Sequence, residues 1–260
     1  MLGFRSDSAM EPQELLAIVA RGDEIPVVGS SVRDIDFHYF RDFFKLRFDQ
    51  DFEEQNLSLE QVLANMRLLT KGQLTVAGML LFGRNSHAFL PIFQVKAISC
   101  LGNDIHAEHY LDSEDIGGRL ERQFERSVGF IMRHLRKEQR GQSINSLGIP
   151  EIPRIVLEEL LANALLHRDY FISAPIRVFV FGNRIEIISP GHLPNSLTIA
   201  NIRSGNSNIR NPILTSYATR VLPYRGLGTG IVRALKEYPG IEFDDDREGN
   251  QFRVVIHRHS

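Results

Sequence analysis

A mixed α/β protein of the α+β kind is predicted by three features of this 260-residue sequence. The first is a helix-period stretch over residues 157–170, where Glu159, Asn163 and His167 recur every fourth position and fall on one face. The second is a pair of apolar runs, 175–181 and 184–189, joined by Gly182-Asn183. Two residues of that type between apolar runs signal a hairpin. The third is the strand-like run 252–256 that closes the chain after one more helical stretch.

Taken in order, residues 1–31 read as a connecting segment. A short amphipathic stretch over 11–20 runs into Arg21-Gly22-Asp23-Glu24-Ile25-Pro26 and then the turn cluster Gly29-Ser30-Ser31. This reads as the end of a preceding part rather than the start of a domain. Residues 32–114 read as a small mixed α/β unit. Phe37, Phe40, Phe43 and Phe44 follow helical spacing behind a cap at Asp34 or Asp36. Ser58-Leu59-Glu60-Gln61 is a capping box that turns Leu59, Val62, Leu63 and Met66 inward. Residues 76–82 are a short apolar piece ended by Gly83, and 92–101 reads as a strand with 105–111 as its partner.

Residues 115–260 form the second unit. A long helix over 116–137 carries Leu120, Phe124, Val128, Ile131 and Leu135 as its apolar stripe. Its other face holds Arg119, Arg122, Arg126, Arg133, Arg136 and Lys137. Glu121, Glu125 and Glu138 intersperse those cations, so the face reads as a solvated surface rather than a nucleic-acid face. Pro153 suits the first turn of the next helix. In that helix Val156, Leu157, Leu160, Leu161, Ala164 and Leu165 are expected to face the core, opposite the polar trio. Residues 194–225 form a polar passage with a helix over 212–222, and Gly226-Leu227-Gly228-Thr229-Gly230 opens a helix through Lys236.

Composition narrows the function classes. The hydrophobic fraction of 43% allows a real core. The 30 Lys+Arg against 32 Asp+Glu give a net charge of −2, so no global positive charge advertises nucleic acid. One cysteine excludes an intrachain disulfide and any multi-cysteine zinc site. No apolar run approaches the roughly 18 residues of a membrane span. No signal-peptide core opens the chain either, and a cytoplasmic protein without membrane contact is expected. The nine histidines show no ligand spacing. Cys100 reads as a core residue, and His167 as a structural histidine bonded to a backbone carbonyl. Arg168 and Asp169 read as pairing with each other or with a loop to fix the helix end.

Chemistry concentrates in three elements of fixed order: the helix with Glu159 and Asn163, the hairpin ending in Ser189-Pro190-Gly191, and the Gly226/Gly228/Gly230 turn. A carboxylate and a carboxamide one turn apart could hold a hydrated magnesium ion and orient water. The three glycines allow tight turns, and the amides of the helix they open favour an anion such as phosphate.

Four segments carry a family resemblance: 157–170 (LEELLANALLHRDY), 184–194 (RIEIISPGHLP), 209–214 (IRNPIL) and 225–235 (RGLGTGIVRAL). Together they resemble the C-terminal region of RecG-related transcriptional regulators, whose N-terminal part is usually an AlbA-type, Schlafen-like DNA-binding domain. The likeness spans roughly residues 60–260 and is strongest at NALLHRDY. The C-terminal half is in turn similar to the GHKL ATPase fold, a two-layer Bergerat-type sandwich with nucleotide held under a mobile lid. The resemblance implies Glu159 as the acid that orients or activates water, and Asn163 as the ligand of magnesium bridging the phosphates. It places Pro190 and Gly191 in the first glycine box, and Gly226, Gly228 and Gly230 in the second. Residues 194–225 take the lid position, where Arg210 or Arg225 would meet phosphate charge. Hydrolytic members carry an aspartate in the first glycine box that reads adenine, whereas this chain has Ile188-Ser189-Pro190-Gly191-His192. No G-x-x-x-x-G-K-[ST] loop occurs, so a P-loop helicase motor is excluded.

These residues lead to an expected binding module for ATP and magnesium, dimeric and coupled to DNA through a domain outside this chain. The alternatives are a slow ATPase that uses Glu159, and a scaffold that has lost nucleotide and serves dimerisation.

Overall fold

The structure is a computed structural model that describes residues 21–104, 109–139, 148–224 and 228–258. The expected amphipathic stretch over 11–20 lies outside the described residues, as do Arg225 and Gly226. Among the described residues no helix is long and apolar enough to cross a membrane.

The small unit opens with a short turn, Gly22–Glu24, and helix α1 (Phe37–Phe48), which Asp36 caps by accepting the Tyr39 amide at 3.3 Å. Helix α2 (Leu59–Asn65) starts on the predicted capping box, with Ser58 and Gln61 exchanging bonds. A hairpin, β1 (Leu69–Thr70) and β2 (Gln73–Leu74), leads to the fully buried α3 (Val76–Phe82) and the short α4 (Ser86–Phe89). Rings of Phe40, Phe43 and Phe82 pack at centroid distances of 4.8–5.1 Å, which closes this part of the core.

Strands β3 (Val95–Cys100) and β4 (Tyr110–Ile116) follow, then α5 (Leu120–Arg133), β5 (Lys137–Glu138), β6 (Ile149–Pro150) and α6 (Arg154–His167). The second half holds β7 (Ile176–Val180), β8 (Arg184–Pro190), α7 (Ile199–Arg203), α8 (Pro212–Ala218) and α9 (Gly230–Glu237). It ends with β9 (Ile241–Asp246) and β10 (Gln251–His257). The partner of β3 is residues 110–116, which overlap the expected 105–111 at 110 and 111; residues 105–108 lie outside the described residues. Helix α5 starts four residues later than the pattern suggested, because Gly117 and Gly118, the latter at φ +109°, form a turn ahead of it.

Six strands form one sheet in the order β4-β3-β7-β8-β10-β9, with β3 and β7 parallel and every other pair antiparallel. Strands from both sides of the expected boundary at 114/115 join this sheet, and β4 itself crosses that position. Alternation sends Val95, Ala97, Val178, Ile185, Ile187, Val254 and Ile256 to the helix-covered face. Cys100, Phe179, Phe181 and Ile188 gather in a smaller cluster of their own. The predicted mixed α/β architecture, a sheet layered with helices, is what the structure shows.

Helix α6 departs from its expected one-sided character. It packs on β8 and is flanked by both α5 and α9, so Glu159 is only 4% exposed and Ala162 and Leu166 are buried as well. A helix with neighbours on several sides keeps little solvent face. Arg154 and Glu158 pair at the surface, whereas Glu159, Asn163 and His167 line the cleft described next.

Candidate functional site

Helix α6, the end of β8, residues 191–208 and the turn before α9 enclose a hollow of about 980 Å³, counting its open mouth. Its floor is apolar, from Leu160, Ile187, Leu193, Ile202, Phe243 and Val254. Its rim is polar, with Glu159, Asn163, His192, Asn206, Ser207 and Thr229. Such a mixture, an apolar bed with a few convergent polar groups, is the usual make-up of a small-molecule site.

Gly230 fixes the spacing between the two helices. A Cβ there would stand 2.3 Å from Glu159 Oε2 and 3.4 Å from Asn163 Nδ2, so only glycine lets α9 begin so close to α6. Arg233, one turn into α9, reaches Glu159 Oε1 at 3.0 Å. Asn163 donates from Nδ2 to the Glu159 carbonyl at 2.7 Å, which leaves its Oδ1 without a partner among the described residues. Gly228 sits at φ +70°, and a Cβ on it would meet the Gly205 carbonyl at 2.7 Å and Ser207 Oγ at 3.0 Å. Residues 205 to 207 thus rest directly on the glycine turn. Thr229 makes no side-chain cap to α9, so the first amides of that eight-residue helix have no cap of their own.

His167 also lines the hollow. Its Nε2 lies 3.4 Å from the Tyr224 hydroxyl, rather than on the backbone carbonyl expected. Burial, and then the nearby Arg210 charge, push the imidazole down to about 4, so it is neutral at physiological pH. Magnesium takes hard oxygen donors and is usually held by one or two carboxylate or amide groups plus phosphates. Asn163 Oδ1 and Glu159 are donors of that kind, although the Glu159 carboxylate already faces Arg233.

Of the other expected site residues, Gly191 lines the hollow, whereas Pro190 and Arg210 do not. Pro190 ends β8 pairing with Gln251, and its carbonyl accepts the Asp169 amide at 2.8 Å; it does not line the hollow. Gly191, at φ +95°, does line it, and a Cβ there would strike Arg210 and Asp169. Arg210 is off the wall too. It donates to the His192 carbonyl at 2.6 Å and lies 3.9 Å from Asp169. Its guanidinium pins the β8 exit to the end of α6.

The NALLHRDY stretch is largely a joint. Arg168, 1% exposed, lies over the rings of Phe93 and Tyr170 at 4.6 and 5.0 Å and donates to the Ile172 and Ala174 carbonyls. It binds a loop, as one of its two expected readings had it, while Asp169 turns to Arg210. Asn211, not singled out from the sequence, donates to the Leu166 and Arg168 carbonyls at 2.9 and 2.8 Å and so closes the C-terminus of α6. Its signal was the Asn-Pro pair that starts α8. Arg233 was also missed; one arginine in a short amphipathic helix carries no mark of its partner.

Residues 173–256 match the family described as "Putative ATP-dependent DNA helicase recG C-terminal" (HATPase_c_4). The match runs from just before β7 into β10, taking in the glycine turn and leaving α6 outside. This part of the chain is similar to the RecG-related, ATPase-like domain that the family describes. That supports nucleotide binding in general terms. The crystal structure of the DIP2311 protein from Corynebacterium diphtheriae is similar over 92% of this chain, with a TM-score of 0.65 and 20% sequence identity. The chain spans 48% of that protein, about half its length, and at this identity the likeness concerns the fold alone. No curated protein matches.

Proposed function

We propose that the cleft senses a nucleotide, ATP with magnesium, within the regulatory region of a dimeric, DNA-binding transcriptional regulator. The observation that carries the nucleotide reading is the meeting of Glu159, Asn163 and Gly230 beside an apolar bed. DNA contact and dimerisation are carried by the family resemblance. Asn163 would offer its Oδ1 to the metal, and the Gly228–Thr229–Gly230 turn would offer backbone amides to phosphate. Magnesium, when bound, would offset the phosphate charge. The chain's own part is to release Arg233 from Glu159 and to lift residues 205–208 off Gly228. A ligand that prefers the lifted lid would shift the population toward it, and that shift is the signal.

A sensor is favoured over the slow ATPase because a carboxylate held by a guanidinium is a weak base for water. The scaffold reading draws on a different observation: contacts within the chain already account for the glycines at 228 and 230. Thermal melting under a magnesium-ATP titration separates these readings. Binding to the folded state alone adds about 2.7 kcal/mol at a hundredfold excess over Kd, so the melting temperature should climb with ligand. Asn163→Ala should flatten that climb. No shift with any magnesium-nucleotide would leave the scaffold.

A further inference from the structure

A second hollow, of about 1050 Å³ with its open mouth, lies between residues 84–87 and the start of α5. It shares no lining residue with the cleft. Two observations there point independently to an anion. The first is the start of α5: this 14-residue helix has no side-chain cap, and Gly117, Gly118 and Arg119 at its start line the hollow. The second is Ser86, which lines the same hollow at 2% exposure with an Oγ that has no hydrogen-bond partner. A buried hydroxyl without a partner is costly unless something completes it.

The charges sort by occupation. Arg119 is held by Asp36 at 2.7 Å and by the Tyr39 ring at 4.1 Å, and Arg126 pairs with Glu114. Asp115 lies 3.5 Å from Lys96, and Glu121 accepts the Tyr39 hydroxyl at 2.8 Å. Arg84 and Arg122 line the hollow with no carboxylate on either guanidinium among the described residues. Asp115 and Glu125 are the exposed acidic side chains of this lining. His87 is packed against Gly117, where a Cβ would stand 2.4 Å from its Nδ1. Glycine therefore keeps the loop pressed onto α4.

We propose that this hollow binds a phosphate monoester group. The Ser86 hydroxyl, the Arg84 and Arg122 guanidiniums and the uncapped amides of α5 hold its oxygens. Several terminal oxygens converging on guanidinium, hydroxyl and amide donors is the chemistry such a set accepts. The site lies on the arginine-bearing face of α5 and stands apart from the nucleotide reading of the cleft.

Calorimetric titration of the full chain with inorganic phosphate, against chloride at matched ionic strength, tests this. Wild type should bind; Arg84→Ala/Arg122→Ala should bind about tenfold more weakly or not at all, since charged hydrogen bonds are lost. Ser86→Ala should also weaken binding, and Arg133→Ala, on the same helix but off the hollow, should leave it unchanged. Absence of phosphate binding by wild type overturns the proposal, as does retention in the double arginine variant. Loss in Gly230→Ala with retention in the double arginine variant would assign the anion to the cleft. Duplex DNA binding without binding of inorganic phosphate would likewise contradict it.

Discussion

Two buried glutamates, Glu151 and Glu159, each face an arginine, yet their surroundings differ. Arg258 is 6% exposed and Glu151 2%, at 2.6 Å. Arg258 also donates to the Phe181 carbonyl at 2.6 Å and the His134 carbonyl at 3.3 Å, while Glu151 accepts the Arg136 amide at 2.8 Å. Arg233 is 33% exposed and reaches the 4%-exposed Glu159 from the cleft side. The first pair ties the last strand to the end of α5 and can only be broken. The second opens on the cleft, where water or a ligand can replace the guanidinium. Glu151 is held through Oε1 from inside the fold, with Oε2 buried and unpartnered, and that pair is architecture; a charge answered from a cleft is available for exchange.

The largest effect should come from Arg258→Met, which strands Glu151 in the interior and should cost about 3–5 kcal/mol by urea denaturation. A cost under about 1 kcal/mol would erase the distinction. Asp23 extends the comparison to a buried carboxylate without a guanidinium. Its Oδ2 accepts the Leu214 amide at 2.9 Å near the start of α8, and burial pushes its carboxyl up to about 6. Between 3.8 and about 6 the folded chain thus holds a proton that the unfolded chain has released. That contribution to stability is present at low pH and lost as pH rises through the window. His167 works in the opposite direction. Folded, it stays neutral down to about 4, while the unfolded imidazole takes a proton below 6.5, so its contribution is lost on acidification. Each amounts to roughly 3 kcal/mol, so the two nearly cancel. Asp23→Asn should lose stability between pH 6.5 and about 4, and His167→Gln should gain it, as followed by denaturation at stepped pH.

Arg233→Met should cost only about 1 kcal/mol, because cleft water can replace the guanidinium. A cost equal to that of Arg258→Met would show both pairs to be locks. The smallest effect belongs to Arg133→Ala. Its ion pairs with Asp112 and Glu114 lie on the exposed face of α5, and the change should stay within about 0.5 kcal/mol.

Local rules made much of this legible. The capping box at Ser58, the Asp36 cap, the hairpin at Gly182-Asn183 and the terminal strand all follow from neighbours in sequence. Strand β9 was not anticipated, because its run Asp244-Asp245-Asp246 reads as a turn. Phe243 packing and pairing with β10 hold it in the sheet instead. Short helix α7 was lost in the polar passage, although Thr198 and Asn201 form its capping box. At the site, the spacing of Glu159 and Asn163 was legible. Their partners were not, since Arg233 lies 74 positions from Glu159 and the burial of α6 depends on α5 and α9. The contacts of Arg210 were hidden for the same reason: carbonyls that claim a guanidinium leave no trace in its own segment.

The central claim is that nucleotide enters between α6 and the glycine turn. Amide chemical shifts of the folded protein under a magnesium-ATP titration test it most directly. The account predicts saturable shifts centred on Gly228, Thr229, Gly230 and Asn163, with the lid residues Gly205 and Ser207 following. Shifts confined to other surfaces, or none at saturating ligand, would contradict it.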